Sequence, residues 1–241
     1  MSVCRTGWQA QRSNEPRMDG ALFALLHILV LVYWLGGDLG AFYSSRFVTD
    51  PTRSEKERML AAGIVNAVDL APRFSMIAAL PTGLALGAVK GWLALPLWAV
   101  GLAFAAAGVW AWVAWTLHVR HGPGADGLKK ADEIWRWAFA AGLIGLGAAI
   151  LTQLWPVAPF IGMKCLLLAA TVLLGLRIRA QLKREFGPAL VAMMRDGATP
   201  ETDAALDRSL GAARPTVMMI WACLLLAAYL GVATPTFPFL P

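Results

Sequence analysis

Residues 22–42 read LFALLHILVLVYWLGGDLGAF, a run in which only His27 and Asp38 interrupt apolar, aromatic or glycine positions. About 20 such residues, at ~1.5 Å of rise each, cross the hydrocarbon core of a bilayer. The run therefore predicts a membrane-spanning helix. Read outward from it, the chain offers spans at about 20–43, 64–89, 92–117, 136–155, 158–178 and 214–233. The expected fold class is all-α: a polytopic membrane protein built as a six-transmembrane-helix bundle. Composition agrees, since 58% of the 241 residues are hydrophobic, only 15% are charged, and the mean hydropathy is +0.59. Six crossings use most of such a chain, which leaves no room for a separate soluble catalytic domain.

The net charge of +6 would suggest nucleic acid in a soluble protein. Here the basic residues fall in loops between apolar runs, so the lipid bilayer is the expected partner and nucleic acid is not. Loops 46–58, 118–136 and 177–214 hold fifteen Lys and Arg, against four on the opposite side (Arg5, Arg12, Arg17 and Lys90). The positive-inside rule then puts these loops in the cytoplasm and both termini on the periplasmic side of a bacterial inner membrane. Arg5, Arg12 and Arg17 oppose that orientation. The polar stretch 1–17 has no periodicity and reads either as a disordered tail or as sequence upstream of a start at Met18. Cys4, Cys165 and Cys223 are too scattered for a metal motif or disulfide framework and read as packing residues.

Ionisable and strongly polar groups inside spans are costly unless paired, ligated or wetted. They are His27, Asp38, Asn66, Asp69, Arg73, Gln153 and Lys164. His27, Trp34 and Asp38 return to one helix face, followed by Gly36, Gly37 and Gly40, which permit close approach of a helix or a flat ligand. Asp69 and Arg73, one turn apart, can neutralise each other, while Pro72 and Pro81 should kink or start their helix. His27 and Lys164 each lie six or seven residues into spans that run in the same direction, so they can meet at one depth. A neutral imidazole is a common axial ligand of haem iron, and a buried lysine can pair with a propionate or carry a proton. Against this, a lone histidine is often a hydrogen-bonded core residue and a lysine near a helix end can snorkel. His118 and His121 read as an exposed helix end. Trp92, Trp98, Trp110, Trp112, Trp115, Trp135, Trp137 and Trp155 read as an interfacial belt. In the long connection 179–213, Leu182, Phe186, Leu190 and Met193 recur at helical spacing, which allows short amphipathic helices on the inner surface or a solvated connector.

The stretch LLHILVLVYWLGGDLGAFYSSRF resembles the first helix of HemJ-type protoporphyrinogen oxidases and of the related CopD-like membrane proteins. The stretches APRFSMIAALPTGLALG, PFIGMKCLLLAATVLLGLRIRAQLK and ARPTVMMIWACLLLAAYLGVATP are similar to the family's second, lysine-bearing third and last helices. The resemblance implies haem b as cofactor, with His27 as metal ligand and His27, Trp34, Arg73 and Lys164 around the cofactor. It implies Lys164 and Arg46 as functional groups and oxidation of a tetrapyrrole or electron transfer to quinone; the costly polar residues within spans add Asp69 as a candidate catalytic group and Asp38 as a further proton carrier. The resemblance divides the chain into a tail (1–19), a first helix pair (20–89), an inserted pair (90–157) and a second pair with a long cytoplasmic loop (158–241). The insertion, the longer loop, and Ala213 with Arg214 before the last proline depart from the family pattern. There is also a faint internal parallel between the two pairs: His27 precedes Arg46, and Lys164 precedes Lys183, by the same interval. Two other readings stand beside this one. A CopD-like copper-handling role would use the sulfurs of Met76, Met163, Met218 and Met219. A subunit of a larger complex, or a homo-oligomer, would use Gly101, Gly108, Gly142, Gly145 and Gly147 of the inserted pair as packing positions.

Overall fold

The computed structural model describes residues 18–119 and 125–236, with side chains from residue 20 onward. The tail, His121 and the last five residues lie outside that description. Among the described residues the chain is all helical: α1 (Met18–Thr49), α2 (Glu55–Val68), α3 (Leu70–Val89), α4 (Leu97–Val119), α5 (Asp126–Leu151), α6 (Pro159–Arg184), α7 (Phe186–Asp196) and α8 (Pro200–Ala233). Six helical stretches are long and apolar enough to cross a membrane: α1, α2 with α3, α4, α5, α6 with α7, and α8. This is a multi-pass membrane protein. Large apolar side chains such as Leu97, Trp98, Leu154 and Val232 face outward, as a lipid-facing surface requires.

Each crossing packs on the next, and α8 returns to α1, so the six close into a ring in chain order. The inserted helices are not alike. α5 packs extensively on α6, whereas α4 leans mainly on α3 and only lightly on α5.

Several boundaries differ from the sequence reading, each for a local reason. Asp69 breaks the second span because Pro72 lacks the N–H that would bond back to Val68. Asn66 is consequently exposed on α2 rather than turned into the bundle. Residues 92–96 are irregular before Pro96, so α4 starts at Leu97 rather than at 92. α5 begins ten residues before the expected 136, and it ends at Leu151, so Gln153 sits in a turn at φ 58° and is not in a span.

The expected connector 179–213 is mostly helix. Thr199 and Thr202 form a capping box and Pro200 occupies the first turn, so α8 starts well before Pro215 and runs through it. α7 does not lie alone: its Ala189 and Met193 are buried with Leu206 of α8 against Met59 of α2. Arg58, 1% exposed, ties this cap together by donating to the Val48 carbonyl at 2.8 Å and pairing with Asp203 at 2.7 Å. In the α1–α2 loop, hydrogen bonds from the Thr52 hydroxyl and amide, with Arg53 nearby, hold the Asp50 carboxyl below its usual range.

The glycines of α1 differ in what they touch. A Cβ built on Gly37 would lie 2.5 Å from Pro72 Cδ and 3.2 Å from Ala71 Cβ, whereas one on Gly36 meets nothing within 4 Å. A proline ring cannot swing aside. Gly37→Ala should therefore destabilise by roughly 1–3 kcal/mol through overpacking, and Gly36→Ala should not. Thermal unfolding of the two variants in one detergent tests this, and equal midpoints would contradict it.

Candidate functional site

The ring contains a half-open cavity of about 780 Å³, within the ~300–1,000 Å³ usual for small-molecule and cofactor sites. α1, α3, α5, α6 and α8 all contribute to its wall, and α4 contributes nothing. The lining is apolar apart from a few groups, chief among them His27 and Lys164, and Trp34, two turns along α1 from His27, also lines it. Three of the sequence-selected residues thus share one chamber.

Why His27 presents one particular nitrogen follows from its neighbour on α3. His27 Nδ1 lies 2.9 Å from Thr82 Oγ1, and that hydroxyl spends its own proton on the Ala78 carbonyl at 2.7 Å. A hydroxyl has one proton to give, so the ring must donate through Nδ1. Nε2 is left as the basic nitrogen with its lone pair unused by any described residue. Hydrogen bonding at one imidazole nitrogen is the usual means of fixing the tautomer of a metal-ligating histidine. Gly83 makes space for the ring, since a Cβ there would come within 3.2 Å of His27 Cε1.

Lys164 reaches the cavity from α6, and among the described residues no carboxylate pairs with it. A Cβ on Gly231 of α8 would lie 2.6 Å from Lys164 Nζ. That clash meets the free end of a flexible chain. Gly231→Ala should fold with less than about 1 kcal/mol lost, below the usual overpacking range, while pushing the ammonium away from α8. A midpoint lowered as far as that of Gly37→Ala would show that Lys164 is held rigidly.

The other selected residues lie elsewhere. Arg46 stacks over Phe42 and Tyr43, its guanidinium carbon 5.9 Å from each ring centre, and does not line the chamber. Asp69 and Arg73 form the intrahelical ion pair expected from their spacing. Asp38 has its Oδ2 buried without a hydrogen-bond partner, as has Trp221 Nε1, and Asp69 and Trp221 are its polar neighbours. His118 sits against Trp115, with ring centres 6.1 Å apart. The four methionines do not converge: Met76 accepts from Arg136 at 3.4 Å, and Met218 and Met219 face outward. No group of three or more His, Cys, Asp or Glu able to hold a metal occurs among the described residues.

A second polar centre was missed in the sequence. Asp132 of α5, 3% exposed, accepts from Trp110 Nε1 at 2.9 Å, Arg136 Nε at 2.9 Å and Arg179 Nη1 at 3.0 Å. Trp110, assigned above to an interfacial belt, is instead a core residue of α4 turned inward by this bond. The signal available was the i, i+4 spacing of Asp132 and Arg136, hidden when the helix was started at 136.

No protein-family model matches the chain, and neither curated proteins nor solved structures yield a match.

Proposed function

We propose that the chain is a haem b-binding membrane protein whose central cavity would hold the cofactor, with His27 as the iron ligand. The observation that carries this reading is the Thr82–His27 pair, which leaves a basic Nε2 beside a largely apolar chamber of cofactor size. A single histidine would suffice for such a group, because the porphyrin carries its iron already bound by its own pyrrole nitrogens. Bound haem would supply a one-electron couple that the side chains of this chain lack.

What the chain's own residues do follows from their chemistry. His27 fixes the cofactor's centre. Lys164, a cation with no acidic partner nearby, would pair with a propionate carboxylate and so set the cofactor's rotation in the chamber. Trp34 and the aliphatic lining exclude water. In this reading, the HemJ resemblance supplies the reaction, oxidation of a protoporphyrinogen-like tetrapyrrole or delivery of electrons to a quinone. Asp38 and Asp69 are the candidate proton carriers of this reading, with Arg46 or Arg73 as their charged partners, although none of the four lines the chamber itself. The location is a bacterial inner membrane with the termini on the periplasmic side, as the distribution of basic loops favours.

The test is an absorption spectrum of the purified protein, oxidised and reduced, after expression with ample haem supply. A Soret band with reduced-state bands typical of a b-type haem is expected. A colourless protein that also fails to take up added haem would overturn the proposal.

A further inference from the structure

We propose that the pocket formed by Arg73, Lys129, Arg136 and Arg179 around Asp132 is an anion site that takes a phosphate group. It shares no lining residue with the central chamber and does not depend on the haem reading.

The charges do not balance. Arg73 is paired with Asp69, and Lys129 with Asp126, so Arg136 and Arg179 are left to share Asp132. One positive charge therefore has no carboxylate, and it is shared between Arg136, whose side chain is 6% exposed, and Arg179, 40% exposed at the mouth of the pocket. An uncompensated buried charge is costly, and an anion entering the pocket would relieve it.

The donors are also held in place. Arg136 lies over the Trp110 ring, 5.5 Å from its centre, with Nε on Asp132 and Nη1 on Met76. Its Nη2 makes no hydrogen bond to a described residue. Arg179 uses only Nη1 on Asp132 and stands 40% exposed at the mouth. Guanidinium groups fixed in this way suit the tetrahedral oxygens of phosphate better than a mobile ammonium would. The volume of about 180 Å³ admits a small anion and is far too small for a porphyrin.

Leu117 near the end of α4 and Lys129 near the start of α5 put the pocket at a bundle end, where a span meets water. Two sources can supply the phosphate there, the headgroup of an anionic phospholipid or a phosphate anion in solution.

The experiment uses the full chain in nanodiscs of phosphatidylcholine, with or without phosphatidylglycerol, titrated with inorganic phosphate at constant ionic strength. The readout is the unfolding midpoint. A saturable rise with phosphate in phosphatidylcholine discs identifies a solution anion, and a rise confined to phosphatidylglycerol discs identifies a lipid headgroup. In either case Arg179→Gln should weaken the response about tenfold or more, since it removes a charge-assisted donor. Lys129→Gln, at an exposed position that folding tolerates, should weaken it less. Arg179→Lys should keep part of it. Absence of a rise with both sources, or an unchanged response in Arg179→Gln and Lys129→Gln, would overturn the proposal.

Discussion

His27→Ala should abolish haem retention, and Thr82→Val should weaken it by about 10–100-fold without touching the iron, the usual cost of losing an outer partner of a metal ligand. The two effects have separable causes. Alanine removes the only imidazole that lines the chamber among the described residues. Valine keeps the volume at position 82 but removes the oxygen that accepts from Nδ1, so the imidazole is free to carry its proton on Nε2, where it can no longer ligate. Thr82→Ser restores an acceptor and should restore most of the affinity. Titration of each purified apo-protein with haem, followed at the Soret band, measures all three. If Thr82→Val bound as tightly as the parent, the argument from the tautomer would fail even if His27 proved to be the ligand.

Asp132→Asn should destabilise the protein by about 3–5 kcal/mol, the cost typical of removing one partner from a buried ion pair. The loss is large because one carboxylate serves two guanidiniums and an indole, and α4, α5 and α6 all meet on it. Aspartate-to-asparagine keeps the shape and the Oδ1 acceptor, so the change isolates the charge. The measurement is the thermal midpoint in detergent, expected to fall by roughly 10 °C or more for a chain of this size. A midpoint that stays put would mean that water screens the two arginines as well as Asp132 does. Because α4 has little other packing on α5, its release should precede that of the remaining bundle.

Much of the architecture was legible in the amino-acid sequence because bilayer crossing imposes length and apolarity, and both are local properties. His27 and Lys164 stood out for the same reason: each interrupts an apolar run where an ionisable group is expensive. That they can meet at one depth followed from counting residues into two helices of like direction, whereas the cavity between them came from the packing. Thr82 did not stand out, because a threonine in a span ordinarily bonds back to its own helix, as this one also does to Ala78. Its second role depends on α1 lying against α3. Asp132 and Arg136 were masked by position. Within LKKADEIWR, residues 128–136, they read as the solvated start of a helix, and the packing of Arg179 from α6, 47 residues from Asp132 in sequence, makes them a buried centre. The early start of α8 was readable in the Thr199 capping pattern but was overridden by Pro215, which the helix carries without ending.

The ring has a consequence for how the protein is made. Each crossing finds its neighbour in the helix just before it, so packing can proceed in the order of synthesis from α1 to α6. The closing contact is between α8 and α1, the last and first spans, and Gly231, over which Lys164 rests, lies near the far end of the last one. Until α8 is in place, the central chamber lacks one of its walls and Lys164 lacks its neighbour at Gly231.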